Sequence, residues 1–202
     1  MSWIKKIDFS QATGKLKKIY DRVVTPGGKV DNVLEIHSLR PHTLEGHMHL
    51  YKSVLHHYNN TLPKWYLESL GTYVSHLNQC QYCVDHHSVG LKKLLNGDLE
   101  KFEKIFSSIK RNRPEEGFEG KLLEGMLYAK KLTFSHHWMS QKDVIKLQEA
   151  GFDDGEILEI NQVVSYFNYV NRTVIGLGVN TDGDELGLSP NDSSNPDDWK
   201  HH

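Results

Sequence analysis

"LPKWYLESLGTYVSHLNQCQYCVDHHSVGLKKLL", residues 62–95, is the stretch from which the fold is read. In its first half Leu67, Leu70, Val74 and Leu77 recur at spacings of three and four, one stripe of a helix. Asn78 is suited to cap a second helix beginning at Gln79, with Gln81 at the third helical position, where a capping partner sits. That places Cys80 in a first turn, where backbone N–H groups and the helix dipole favour a thiolate. Cys80, Cys83 and His87 stand at i, i+3 and i+7, within about 60° of one another on the helix circumference. Leu91 and Leu94 share that sector, so two sulfurs and an imidazole lie on the face expected to be buried. Asp85, His86 and Lys92 point elsewhere.

The same periodicity extends in both directions. "DFSQATGKLKKIYDRVV" offers Ser10 as a cap and Leu16, Ile19, Tyr20 and Val23 at helical spacing, and "TPGGK" at 25–29 breaks it. "DNVLEIHSL" and "PHTLEGHMHLYKSVLHHY" follow, the latter opening on Pro41 at a first-turn position. Downstream, Asn96-Gly97 reads as a stop and Asp98 as the next cap. "PEEGFEGKLLEGMLYAKKL" and "SQKDVIKLQEAG" read as helices, the second bracketed by Ser140 and Gly151. "DDGEILEINQVVSYFNYVNRTVIGLG" is the longest. Its "VVSYFNYV" could pass for a strand, but the amphipathic turns before it favour helix, and the chain reads as all-α. Beyond Gly178 the composition turns polar and acidic. The expected organisation is one helical domain over 1–180, with its motif core at 63–96, and a tail over 181–202 lying loosely on the surface.

Composition narrows the function classes. A chain of 202 residues, 38% hydrophobic and 10% aromatic, can bury a substantial core. A net charge of −2 gives no footprint for nucleic acid, and no apolar run has the length of a membrane span. The opening "MSWIKKIDFS" has charges where a secretory leader needs an apolar stretch. Two cysteines three residues apart cannot staple distant loops, so a cytoplasmic protein is expected.

From the residues alone, three readings of "CQYCVDHH" stay open. Cys80 and Cys83 could be a redox pair, since i, i+3 cysteines close a disulfide with little backbone movement and a nearby histidine can take a thiol proton. With Glu68 or His76 they and His87 could ligate zinc or iron, although no second cysteine pair exists to complete a structural zinc site. They could also be core filling. Glu68 lies about 100° around its helix from Leu67, off the apolar stripe, and by itself reads as a solvated glutamate.

The combined spacing E-x11-C-x2-C-x3-H, within "YLESLGTYVSHLNQCQYCVDHHSVGLKKLL", closely resembles the core motif of the AhpD-like alkylhydroperoxidases. These belong to the carboxymuconolactone decarboxylase superfamily, and the chain looks most like the peroxidase-related branch. The likeness extends to "SYFNYVNRTVIGLGV" and covers roughly residues 5–180. It implies an AhpD-like helical fold, a homo-oligomer, and thiol-dependent hydroperoxide reduction without metal or other cofactor. By that resemblance Cys83 is the attacking thiolate, Cys80 condenses with its sulfenic acid, and Glu68 and His87 form a proton relay. A lipoyl-bearing or thioredoxin-like thiol reductant would reopen the disulfide. This assignment reverses the order suggested by helix position, which makes Cys80 the more acidic thiol. The chain also departs from the pattern: where the best-studied branch has a histidine before the second cysteine, Tyr82 stands here. The superfamily's decarboxylases generally lack the cysteine pair. A redox-sensing helical oligomer without turnover is the alternative.

Elsewhere, His42, His47, His49, His56 and His57 do not share one helix face and are expected to be structural. Asn168, Asn171 and Arg172 are polar groups on an apolar helix. Helix-to-helix bonding is the plainer reading, with Asn168 or Arg172 beside Cys83 as the alternative. Tyr166, Phe167 and Tyr169 are expected in the core or a subunit interface.

Overall fold

The computed structural model describes residues 2–201; Met1 and His202, the outer ends of the two segments expected from the sequence, lie outside them. Nine α-helices and no β-strand longer than an isolated bridge form among the described residues: α1 Gly14–Val23, α2 Asn32–Glu35, α3 Pro41–Tyr51, α4 Lys64–Leu77, α5 Gln81–Leu94, α6 Leu99–Lys110, α7 Gly120–Phe134, α8 Gln141–Glu149 and α9 Asp154–Gly176. None is long and apolar enough to cross a membrane.

Several signals act as their chemistry dictates. Pro41 begins α3, Asp98 accepts from the backbone N–H of Lys101, and Ser140 with Asp143 forms a reciprocal capping box before α8. Asn96 and Gly97 both take positive φ between α5 and α6. Two expected caps are corrected. Ser10 sits in a 3-10 turn, and α1 begins only at Gly14. Asn78 closes α4 instead of opening α5, because Gln79 enters the left-handed region at φ 59° and turns the chain, leaving Cys80 as the N-cap of α5.

α4 is the central helix. α5 folds back along it, and α6, α7 and α9 pack on its other sides, so every residue from Tyr66 to Ser75 is buried. Ser69, Thr72 and Ser75 are tolerated there because each hydroxyl donates to the carbonyl four residues back. The approach of α9 depends on Gly71, where a Cβ would stand 2.2 Å from the Phe167 ring.

The segment after Gly178 does not lie loosely. It runs back across α5 and over the start of α2, and Trp199 is fully buried in a second apolar cluster with Tyr20, Leu44 and Met48. Arg22 stacks on the Trp199 ring at 3.4 Å, and the buried ammonium of Lys52 donates to the Asp198 carbonyl and Ser193 hydroxyl. One tryptophan and a set of hydrogen bonds hold a segment whose composition is otherwise that of a solvated tail.

Candidate functional site

The hairpin of α4 and α5 brings Glu68, Cys83 and His87 to one narrow cavity of about 60 Å³. Glu68 is not solvated. It is 2% exposed, because the side of α4 opposite its leucine stripe faces α5 instead of water. Its Oε2 accepts from Nδ1 of His87 at 2.7 Å, and its Oε1 lies 4.0 Å from Nε2 of His56. Gly90, one turn beyond His87, faces this carboxylate; a Cβ there would make ordinary contact, 3.4 Å from Oε1.

His56 comes from the π-helical turn Lys52–His56 that continues α3. The extra residue per turn swings Lys52, Val54, Leu55 and His56 inward. Tyr51 stands just before this turn, stacked on Tyr166 at 5.6 Å and edge-on to His56 at 4.9 Å and to His87 at 6.1 Å. Burial and then the nearby Glu68 carboxylate keep Tyr51 a neutral phenol. His47, one turn earlier, also lines the cavity; burial pushes its imidazole down to about 3, so it is neutral.

Both cysteines are free thiols, both are buried, and each influences the other's ionisation. They open in different directions. Cys83 lines the cavity with Glu68 and His87, whereas Cys80 lines a separate, more open groove with Gln79, Asp85 and Val174. Cys83 is held well above the usual thiol range, first by the neighbouring Cys80 and then by burial. The same pairing lowers Cys80, against the effect of burial. Of the two, Cys80 is therefore the thiol more readily ionised, the same direction that its place at the start of α5 favours.

Asn171, fully buried on α9, reaches both sulfurs and donates to Ser75 Oγ at 3.1 Å. Asn78 donates to Asn171 and Asn168, which locks the α4–α5 corner onto α9. Of the three polar residues singled out on this helix, Asn171 is the one at the thiols. Asn168 bonds between helices, and Arg172 folds back on Asn168 at the surface.

Tyr82, the residue that departs from the pattern, turns away from the cysteines. Its hydroxyl donates to Asp184 Oδ2 at 2.7 Å and accepts from the Val33 backbone N–H at 3.1 Å. Asp184 also accepts from Asn32 and from His86 Nε2, the latter at 3.3 Å. The 181–201 segment is thereby anchored at the cavity, where Gly187, Pro190 and His201 form part of the wall.

The metal reading gains no ligand set. Among the described residues no three His, Cys, Asp or Glu side chains gather as one. His76, its suggested fourth ligand, lies at the far end of α4 against Lys110. His47, Tyr51, His56, Tyr166 and Asn171 belong to the site, yet none was assigned to it from spacing. They converge through tertiary packing of α3 and α9, which no local motif records.

No protein-family model matches the sequence, and no curated protein matches it significantly. Solved structures do. An uncharacterized peroxidase-related protein from Silicibacter sp. TM1040 superposes with a TM-score of 0.69 at 22% identity, over 84% of this chain and 83% of that one. A protein described as an alkylhydroperoxidase AhpD core, an uncharacterized peroxidase-related protein from Ralstonia eutropha JMP134, gives 0.72 at 19% identity over 90% and 95%. The debrominase Bmp8, in its apo form, gives 0.67 at 14% identity over 90% and 91%. Together they establish that the chain has the all-α AhpD-like fold.

Proposed function

We propose that this AhpD-like chain is a thiol-dependent hydroperoxide reductase cycling between a Cys80/Cys83 dithiol and its disulfide. The observation that carries the reading is the buried Glu68–His87 hydrogen bond in the same cavity that Cys83 lines. A thiol held high by burial and by its neighbour needs a base to attack, and a carboxylate-oriented imidazole is the group suited to supply one.

The steps balance as follows. Glu68 and His87 draw off the Cys83 proton. The Cys83 thiolate attacks the terminal oxygen of ROOH; an S–O bond forms, the O–O bond breaks, and sulfur is oxidised to the sulfenic acid. The departing RO⁻ takes one proton to leave as ROH. Cys80, having given its own proton to solvent, attacks the sulfenic sulfur, forming the disulfide, and the expelled hydroxide becomes water with the proton stored on Glu68–His87. An external thiol then restores the pair by exchange, approaching from the groove on the Cys80 side. On this reading Cys83 attacks although Cys80 is the more readily ionised, because Cys83 alone of the two lines the cavity with the relay. The likeness to two peroxidase-related proteins supports the reading; the debrominase shows that the fold also carries other chemistry.

The test is to count free thiols before and after a stoichiometric pulse of an organic hydroperoxide. Loss of two thiols, with ROH formed and the thiols restored by a dithiol, is the expected result. Two unreactive thiols would overturn the reading. Loss without catalytic turnover in the presence of reductant would instead make the chain a redox sensor.

A further inference from the structure

The cavity holds a second carboxyl that the relay does not use. Asp31 lies at the entry to α2, is 7% exposed, and lines the cavity with Cys83. Its Oδ1 is buried without a hydrogen-bond partner, unlike Glu68 and Asp184, each of which is held by named donors. An unpartnered buried carboxylate is costly, so such a group stays protonated more readily than one in water. Tyr51 lines the same cavity, and both Asp31 and Cys83 act electrostatically on its hydroxyl.

Building on the hydroperoxide-reductase reading, we propose that Asp31 is the general acid of this cavity, donating its proton to the RO⁻ oxygen as Cys83 breaks the O–O bond. The reaction as balanced above requires one proton at that oxygen beyond those that Cys83 gives up to the relay, and solvent restores it to Asp31 afterwards. The groups that set the Asp31 proton come from three directions. His86 on α5 stabilises its anion; Asp184 and Glu185 of the C-terminal segment and Glu35 on α2 oppose it. Tyr82 and Tyr51 stand close by as neutral phenols. Burial, the largest influence, together with these acidic neighbours pushes the carboxyl up to about 7, where it can both hold and release a proton.

The experiment compares two small two-carbon peroxides, ethyl hydroperoxide and peroxyacetic acid, in single-turnover oxidation of the reduced protein. Ethoxide needs a proton to leave; acetate does not. For Asp31→Asn, which keeps the shape of the side chain, the rate with ethyl hydroperoxide is expected to fall about a hundredfold, and that with peroxyacetic acid by less than about threefold. An equal fall with both substrates, or none with either, overturns the assignment. Should this variant not fold, the wild-type ratio of the two rates decides, since thiol ionisation cancels in it. After allowance for the peroxyacid's own ionisation, the ratio must fall as pH rises through about 7; a flat ratio overturns the proposal. A wild-type protein inert to both peroxides would sink the hydroperoxide-reductase reading itself.

Discussion

Glu68→Gln isolates the charge of the relay from its shape. Glutamine is isosteric, and its carbonyl can still accept from His87 Nδ1. What is lost is the negative charge. A hydrogen bond to a charged group contributes about 1.5–3 kcal/mol and a neutral one about 0.5–1.5. The difference, about 1–1.5 kcal/mol, corresponds to about one pKa unit. Glu68 and His87 side chains are only 3% and 13% exposed, so solvent does little to screen that difference. An imidazolium beside the Cys83 thiolate loses this support, and the pair becomes harder to form. Oxidation of the dithiol by ethyl hydroperoxide at pH 7 should therefore slow about tenfold, and its pH profile should move up by about one unit. Stopped-flow thiol loss over a pH series measures both. A folded Glu68→Gln protein with an unshifted profile and full rate would falsify the relay and leave Glu68 a buried structural acid.

Other outcomes follow from the same geometry. Cys83→Ser should abolish peroxide consumption, while Cys80→Ser should leave a sulfenic acid on Cys83 that a nucleophilic trap and peptide mass spectrometry can locate; label found on position 80 of the Cys83→Ser protein, with turnover retained, would reverse the roles. Trp199→Ala should destabilise the fold by about 3–5 kcal/mol and raise amide exchange through 181–201; an unaltered denaturation midpoint would mean that the segment is not anchored by its tryptophan. The pH dependence of stability should show two opposed contributions. His47, depressed by burial to about 3, makes stability fall as pH drops below its unfolded value, because the unfolded chain binds the proton first; Asp31, raised to about 7, makes stability fall as pH rises from its unfolded value toward 7. Between roughly pH 4 and 6.5 they offset each other, so Asp31→Asn should expose a slope approaching about 1.4 kcal/mol per pH unit from His47; urea midpoints that keep the wild-type pH dependence would refute this.

The helices were legible because their signals are local: the caps at Asp98 and Ser140, the Asn96-Gly97 stop, and the stripe of Leu67, Leu70, Val74 and Leu77 all act within a few residues. Glu68, Cys80, Cys83 and His87 were legible as a motif. What periodicity mistook was the burial of Glu68, since a single-stripe reading assumes one buried face and α4 is surrounded. The start of α5 was missed by two residues because a left-handed glutamine gives no glycine-like signal. The C-terminal segment was misread for a different reason: composition averages over many polar residues, while Trp199, Asp184 and the bond from Lys52 act singly. Asp31 carries no local mark at all, for its environment is made by α5 and by residues some 150 positions away.

Tyr82 changes meaning once the fold is known. From sequence it stands where a relay histidine is expected, which suggests a weakened proton path. In the structure its phenol is neutral, raised by burial and by the adjacent Asp184, and bound at both its donor and its acceptor. Its acceptor site is taken by a backbone N–H, which has no proton to pass on, so the phenol does not link Asp184 to the thiols. Its role is therefore mechanical: it fixes Asp184, and through it the segment that closes one wall of the cavity. A histidine there would leave that aspartate without its phenolic donor and put a titrating ring beside the two acids at 31 and 184. On the mechanism proposed above, acid–base work stays on two separate groups. Glu68–His87 would serve the sulfur and Asp31 the departing oxygen, while the phenol between the cysteines holds the wall beside them.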